Sequence, residues 1–241
     1  MPIDTETLPG KSLGKILRND VASDPSRLCN TVLVERLPFS LTYTANLQRR
    51  DRAVLFYDNL VVAAEYFCAF IEEGIRRQEV TCLTGLEPAR YHALFEQIGI
   101  KVAELENCGY LRNLTTDDSH KELEQFERSL TSIDSDDPLR MGLEDGPAGI
   151  RLIHIQNPRG QQKTSLEELF EVEHRTHGLF SFPTTSICCY DTKLVLEDTP
   201  PSFFKEALKA HDHCVFQGIA MPTSKLLSSL TNQIYPKIRS A

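Results

Sequence analysis

Residues Glu79–Val102, EVTCLTGLEPARYHALFEQIGIKV, contain a strand, a turn and a helix in succession. The apolar run Val80–Leu83 predicts a buried strand, Thr84-Gly85 predicts the turn, and Pro88 suits the first turn of the helix. In phosphate-binding α/β proteins, a glycine-rich loop occupies such a turn. Here the turn has one glycine, lacks a Gly-Lys-Ser/Thr ending, and carries Glu87, which would repel a phosphate. The segment therefore predicts an α/β fold without the phosphate chemistry.

Strands and helices alternate on both sides of this segment. Before it, Ala53–Tyr57 predicts a strand, Asp58-Asn59 a turn or helix cap, and residues 60–78 an amphipathic helix. After it, strands are predicted at 149–156, 184–191 and 214–220, and helices at 120–133, 165–179 and 200–212. Most of these strands are apolar throughout. The pattern therefore predicts an α/β fold with a mostly parallel central sheet and helices on both faces.

The chain divides by composition into three parts. Residues 1–50 are polar with scattered prolines and glycines, which predicts a partly ordered extension. Within it we expect one short helix at Ser12–Arg18 and an extended segment at Asn30–Tyr43. Residues 51–222 carry the regular alternation and are predicted to form the main domain. Residues 223–241 are predicted to form a C-terminal tail or helix.

Composition and charge narrow the class of protein. Hydrophobic residues make up 41 % and charged residues 25 % of 241, and no apolar run approaches the roughly 20 residues of a membrane span. The N-terminus has no apolar signal region, so we expect a cytoplasmic location and no membrane partner. The net charge is −8. Residues 104–145 hold twelve acidic and four basic residues, so this segment alone carries a negative excess equal to that of the whole chain. This argues against direct binding to nucleic acid, although a partner that binds DNA stays possible.

Seven cysteines at irregular spacing, without a Cys-x-x-Cys pair, predict reduced and buried thiols. An alternative is a metal- or redox-sensing site, because the chain offers the zinc or copper ligand types Cys188, Cys189, His211, His213 and Cys214. Adjacent strand residues face opposite sides, so the two neighbouring cysteines do not easily share one metal. The imidazoles could instead satisfy carbonyls at the end of a helix.

No catalytic motif is evident in the sequence. Gly10-Lys11-Ser12 lacks both the earlier glycine of a phosphate loop and a preceding buried strand. The helix residues Glu171–His177 hold Glu-x-x-His spacing, but a carboxylate-bridged di-metal site needs a second copy. A Gly-x-Ser-x-Gly elbow is also absent. We therefore predict that the protein is not an enzyme, with a degenerate nucleotide-binding ATPase as an alternative.

In parallel α/β sheets, ligands bind beyond the C-terminal ends of the strands. The residues at these ends predict a small-molecule site formed by Phe56, Tyr57, Asp58, Gly85, Asn157, Arg159, Tyr190 and Asp191. The tyrosines would provide apolar faces with polar tips, and Arg159 and the aspartates would orient polar groups of the ligand. Two alternatives stay open: Phe56 and Tyr190 could belong to the core, and Asp58 could only cap a helix.

Several stretches in order resemble the MEDS domain, a methanogen/methylotroph sensory domain. Phe56-Tyr57, Glu73-Gly74, Cys82, Cys189–Asp191 and His211 match its pattern, within about residues 50–220. Two positions depart from it. Residue 78 is glutamine where the pattern has a glycine before Glu79, and residue 212 is aspartate where many relatives have proline.

The resemblance implies a degenerate relative of RecA-like ATPases, a three-layer fold that binds a small molecule in signalling. The helix-turn-helix of some relatives is absent from residues 1–50, so DNA binding is not implied. We therefore expect a cytoplasmic sensory module that binds a small ligand and acts on a protein partner or on its own dimer, with a role related to transcription as one alternative. No cofactor follows from the sequence.

Overall fold

The structure is a computed structural model that describes residues 39–98, 100–114, 128, 147–156, 183–200, 202–216 and 218–234. Its seven-stranded sheet has the order β3-β2-β4-β5-β1-β6-β7, and only the β6–β7 pair is antiparallel. The strands are β1 Arg52–Tyr57, β2 Glu79–Thr84, β3 Leu111–Asn113, β4 Gly149–Gln156, β5 Thr184–Asp191, β6 His213–Phe216 and β7 Ile219–Pro222.

Seven described helices accompany the sheet: α1 Phe39–Ala45, α2 Leu60–Arg76, α3 Pro88–Gln97, α4 Val102–Asn107, α5 Thr192–Asp198, α6 Ser202–Ala210 and α7 Thr223–Ile234. Helices α1, α2 and α3 share a core with one side of the sheet, which we call the first face. Helices α5 and α6 share a core with the other side, the second face. The predicted mostly parallel sheet with helices on both faces is therefore confirmed. None of the described helices is long and apolar enough to cross a membrane.

Strand residues alternate between the two faces. On β1, Ala53 and Leu55 enter the first-face core, whereas Val54 and Phe56 enter the second-face core. Because both sides of the strand are covered, its sequence is apolar throughout, as the prediction from Ala53–Tyr57 required.

Two predicted elements are corrected by the structure. The segment Asn30–Tyr43 was expected to be extended, but its described end belongs to helix α1, which packs on α2 through Ser40 Oγ and Tyr66 Oη, 3.0 Å apart. Residues 214–220 were expected to form one strand. Instead the chain turns at Gly218, which has φ +78°, and β7 returns antiparallel to β6. A positive φ is accessible to glycine at little steric cost, so one residue interrupts an otherwise apolar run.

Three described elements were not predicted: α4, β3 and α5. They have six, three and seven residues, which is too short for a clear hydrophobic period. The predicted helices at Ser12–Arg18, 165–179 and almost all of 120–133 lie outside the described residues.

A buried ion pair joins two strands of the first face. Arg151 Nε donates to Glu79 Oε2 at 2.7 Å, and the two side chains are 0 % and 1 % exposed. Arg151 Nη1 also donates to the carbonyls of Ala45 and Phe70, at 3.2 and 3.1 Å, and the guanidinium lies 4.3 Å from the Phe70 ring centroid. One charged side chain therefore connects β2, β4, α1 and α2.

Gly74 provides the space for this arginine. A Cβ atom at residue 74 would lie 2.9 Å from Arg151 Cδ and 3.2 Å from Thr81 Oγ1. On the other side of the pair, Arg49 Nε lies 3.2 Å from Glu79 Oε1. The Glu79 carboxylate therefore accepts from one buried and one half-exposed guanidinium.

We expect Glu79→Gln to lower the free energy of unfolding by about 3–5 kcal/mol, because it leaves the Arg151 charge buried without a counter-charge. Urea unfolding measures the change. Glu104→Gln is the matched control: its carboxylate pairs with Lys101 Nζ at 2.6 Å, but both side chains are more than 40 % exposed, so the change should stay below about 1 kcal/mol. Equal effects of the two variants would contradict this role for Glu79.

Two neighbouring glutamates of α2 have pKa values that are shifted in opposite directions. Burial raises the pKa of Glu72 to about 7, and its Oε1 atom is buried without a hydrogen-bond partner in the described part of the chain. Burial also acts on Glu73, but hydrogen bonds from Arg76 and Arg77 outweigh it and lower the pKa of that carboxyl. The Arg77 Nε to Glu73 Oε1 distance is 2.6 Å.

The Glu72 shift predicts a pH dependence of stability. The pKa of Glu72 in the folded protein is raised above the ordinary value of 4.5. Its contribution to the free energy of unfolding is therefore fully present below about pH 4.5 and is lost as the pH rises through about 7. Glu72→Gln should therefore stabilise the protein by roughly 1–3 kcal/mol at pH 8 and by little at pH 4. Chemical denaturation at both pH values tests this. Glu73→Gln should destabilise the protein at pH 8, and a gain from Glu72→Gln that is independent of pH would refute the assignment.

Candidate functional site

The C-terminal ends of β1 and β5 lie side by side. In the ladder, Phe56 pairs with Tyr190 and Tyr57 pairs with Asp191. Asp58 follows β1 directly and is exposed. The structure thus brings five of the eight predicted site residues together. Gly85 follows β2 at the same edge, separated from β5 by β4. Asn157 and Arg159 lie outside the described residues.

The aromatic residues of the predicted site divide between the two faces. Phe56 and Tyr190 are 4 % and 0 % exposed and belong to the second-face core. Their ring centroids are 5.9 Å apart, and further rings pack against them: Phe204 lies 4.9 Å from Phe56 and Phe203 lies 5.1 Å from Tyr190. These two residues form a packed aromatic cluster, so Phe56 and Tyr190 are core residues in this structure.

Tyr57 is half-buried and belongs to the first face, where it packs against the core. Burial raises the pKa of its hydroxyl, the neighbouring Cys189 and Asp191 raise it further, and the positive charge of Arg90 lowers it. The Tyr57 hydroxyl therefore keeps its proton at neutral pH. Asp191 and Arg90 act on it from β5 and α3, so three elements contribute polar groups around one phenol.

Arg90 was not predicted as a site residue. It lies in the first turn of α3 and is exposed. A single arginine in a helix carries no local sequence signal for a site. Only the tertiary structure brings it within electrostatic range of Tyr57.

Two helix N-termini at this edge are capped by the protein itself. Asn59 Oδ1 accepts from the backbone N–H of Val61 at 2.8 Å, at the start of α2. Asp191 Oδ1 accepts from the N–H groups of Lys193 and Leu194, at 2.9 and 3.3 Å, at the start of α5. Phosphate groups use these backbone donors in nucleotide-binding α/β proteins. Asn59, rather than Asp58, is therefore the cap of α2, and the caps already use one first-turn donor of α2 and two of α5.

The turn at Gly85 closes tightly on β4. Gly85 has φ +87°, and a Cβ atom at this position would lie 1.9 Å from the Ile155 carbonyl oxygen. The contact is with backbone, so a side-chain rotation cannot relieve it. The glycine is required because the turn lies directly against the end of β4.

The residues of the alternative metal site do not converge. Cys188 and Cys214 flank Val54 on the second face, whereas Cys189 lies in the first-face core. His211 Nδ1 donates to the Ala207 carbonyl at 2.7 Å, at the end of α6. His213 lies 2.7 Å from Tyr43 Oη through Nδ1 and 3.2 Å from Asp51 Oδ2 through Nε2. These five residues therefore form no joint metal site, and no other cluster of three or more His, Cys, Asp or Glu suits a metal among the described residues.

Gly85→Ala should lower the free energy of unfolding by more than about 2 kcal/mol, because it combines a backbone clash with the roughly 1–2 kcal/mol of a left-handed non-glycine residue. Gly218→Ala is the matched control, since φ is +78° there but no atom lies within 4 Å of the added Cβ. Gly218→Ala should therefore lower the free energy of unfolding only by the cost of the left-handed backbone, without the cost of a clash. Urea unfolding of both variants separates the two contributions, and equal losses would argue against the close approach to Ile155.

Comparison with known proteins adds a family and two distant structural likenesses. The family model of the "MEthanogen/methylotroph, DcmR Sensory domain", MEDS, matches residues 53–212. No curated protein sequence matches the chain. A protein of Pyrococcus horikoshii OT3 has 7 % identity and a TM-score of 0.49, covering 76 % of this chain and 90 % of its own. The flagellar accessory protein FlaH of Methanocaldococcus jannaschii has 10 % identity and a TM-score of 0.43, covering 77 % and 82 %. Neither structural likeness carries information about activity.

Proposed function

Because the chain belongs to the MEDS family of sensory domains, we propose that it is a non-enzymatic sensory module. It binds a small ligand at the C-terminal edge of the sheet. It then passes its bound state to a protein partner or to a second copy of itself. The observation that carries the proposal is the half-buried Tyr57 hydroxyl, which lies in the electrostatic range of Asp191 and Arg90.

The chemistry of this edge suits a ligand held by directional hydrogen bonds. The Tyr57 hydroxyl can donate and accept, the Asp191 carboxylate accepts, and the Arg90 guanidinium donates. A protonated phenol can either donate to or accept from a ligand, so it suits a ligand with either kind of group. These three groups, with Arg159 and Asn157 as predicted from the sequence, form the proposed ligand site.

A triphosphate is a poor candidate for the ligand. The edge carries the acidic residues Asp58, Glu87 and Asp191, which repel phosphate oxygens. One backbone donor at the start of α2 and two at the start of α5 already donate to Asn59 and Asp191. These features favour a sensory role over the alternative of a degenerate nucleotide-binding ATPase.

Helix α2 is the proposed route from the ligand to a partner. It begins at the ligand edge with Asn59 as its cap and extends 17 residues, or about 25 Å, toward the opposite edge. There Arg77 Nη1 donates to the Leu47 carbonyl at 3.0 Å, in the segment that joins α1 to β1. A ligand that shifts the first turn of α2 would therefore displace α1.

Native mass spectrometry of the purified protein, without added ligand or metal, tests the proposal first. We expect an organic adduct in the wild type that is reduced in Tyr57→Phe, Arg90→Gln and Asp191→Asn. Asparagine still caps a helix, so the last variant should fold normally. Lys205→Gln is the control, because this exposed residue of α6 lies outside the site.

An adduct unchanged in all three site variants would refute the site assignment. A zinc or copper adduct that a chelator removes would instead support the metal-sensing alternative. Addition of 1 mM MgATP should leave the melting temperature unchanged, and a shift of several degrees would support the nucleotide-binding alternative.

A further inference from the structure

Two buried threonine hydroxyls at the C-terminal edge of the sheet have no hydrogen-bond partner among the residues that the structure describes. Thr84 and Thr192 are 4 % and 8 % exposed. Their Oγ1 atoms are buried without a partner within the described ranges. Buried hydroxyls in folded proteins are almost always satisfied by protein, water or ligand, so each of these two requires an explanation.

Thr84 lies beside a polar residue of β4, and Thr192 follows the strand that pairs with β4 on its other side. Thr84 is the last residue of β2 and pairs in register with His154. Gln156 pairs with Tyr190, which precedes Thr192 by two residues. The side chains of Leu83 and Ile155 enter the first-face core, so alternation places Thr84, His154 and Gln156 on the second face.

The polar groups of β4 are linked to each other. Gln156 is 4 % exposed, and its Nε2 atom lies 3.2 Å from His154 Nδ1. An amide N–H that donates to this nitrogen would place the proton of a neutral imidazole on Nε2. The tight turn at Gly85, whose Cα lies against the Ile155 carbonyl, holds Thr84 next to this pair. The edge of the second face therefore carries a hydroxyl, an imidazole and an amide from Thr84, His154 and Gln156. The Thr192 hydroxyl follows the neighbouring strand β5 directly, and we call these four residues the row.

We propose that this row is a binding subsite for a small, uncharged, planar molecule with both donor and acceptor groups, such as a nitrogen heterocycle or a primary amide. The inference rests on the proposed sensory function and gives the chemical class of its ligand. Hydroxyl and amide groups offer donors and acceptors without formal charge, so they select by hydrogen-bond pattern. The charged residue Arg112 lies on the same face of the sheet. It pairs with Cys82, which is two residues before Thr84, so it lies away from the edge that holds the subsite.

Thr81 provides an internal comparison. Its Oγ1 is also buried without a partner within the described ranges, and the residue is 0 % exposed on the same strand. It belongs to the first face, where Arg151 and Gly74 surround it: a Cβ at Gly74 would lie 3.2 Å from the Thr81 hydroxyl. No other orphan hydroxyl accompanies it among the described residues of that face. Thr81 is therefore outside the subsite.

The test uses the full chain and two named probes, nicotinamide and adenine, with binding measured by saturation-transfer NMR and calorimetry. We expect at least one probe to bind the wild type. Its dissociation constant should rise at least tenfold in Thr84→Val and in Thr192→Val, which keep the side-chain shape and remove the hydroxyl. Thr81→Val should bind as the wild type does.

The subsite is refuted if neither probe binds, or if the two valine variants bind as tightly as the wild type. Removal of an unsatisfied hydroxyl should leave the melting temperature of the probe-free protein equal or higher, so misfolding is separable from lost binding. A ligand that is lost from Tyr57→Phe and retained by Thr84→Val would leave the sensory function standing and exclude only this subsite.

Discussion

The buried pair of Arg151 and Glu79 is the constraint on which the rest of the first face depends. A guanidinium that is 0 % exposed is tolerated only if its charge and its N–H groups are compensated. Glu79 supplies the charge, and the carbonyls of Ala45 and Phe70 accept from Nη1. Nη2 is buried without a hydrogen-bond partner among the described residues, so the compensation is complete for the charge and incomplete for the N–H groups. A buried ion pair adds little net stability compared with an apolar pair. An arrangement of these elements that separated the two residues, however, would leave a buried charge without a counter-charge. The pair therefore specifies how α1, α2, β2 and β4 fit together.

The same constraint reaches the opposite edge of the sheet through the strand register. Glu79 starts β2 and pairs with Gly149, so five residues later Thr84 pairs with His154. The next residue, Gly85, then meets the Ile155 carbonyl with space for no side chain. A phosphate loop needs a wide turn and open helix N-termini. This edge has a closed turn, and side chains cap α2 and α5, whereas α3 begins with Pro88 and has no side-chain cap. The tight turn at Gly85 and the absence of a phosphate motif in its sequence therefore agree.

Much of the sheet could be predicted from sequence, because β1, β2, β4 and β5 are apolar runs buried on both sides. The hairpin at Gly218 and helix α1 could not, since a single positive φ or a seven-residue helix has no period to detect. Strand alternation separates Phe56 from Tyr57 and Cys188 from Cys189, so part of the candidate site was predictable in principle. Arg90 and the hydroxyl of Thr84 were not, because neither proximity across elements nor an unsatisfied hydroxyl leaves a trace in the sequence.

The two edges of the sheet differ in how completely their polar groups are paired. At the N-terminal edge, Glu79 pairs with two arginines, His213 lies between Tyr43 and Asp51, and Arg52 pairs with Asp212 at 3.5 Å. Gln78, next to Glu79, adopts φ +58°, a left-handed conformation that favours glycine. The pattern that the sequence resembles has glycine at this position. The Glu79–Arg151 ion pair is therefore formed here despite a left-handed glutamine. At the C-terminal edge, by contrast, the described residues leave two buried hydroxyls unsatisfied. A ligand that forms hydrogen bonds with these hydroxyls would order the C-terminal edge, while the N-terminal edge is already held by its own ion pairs.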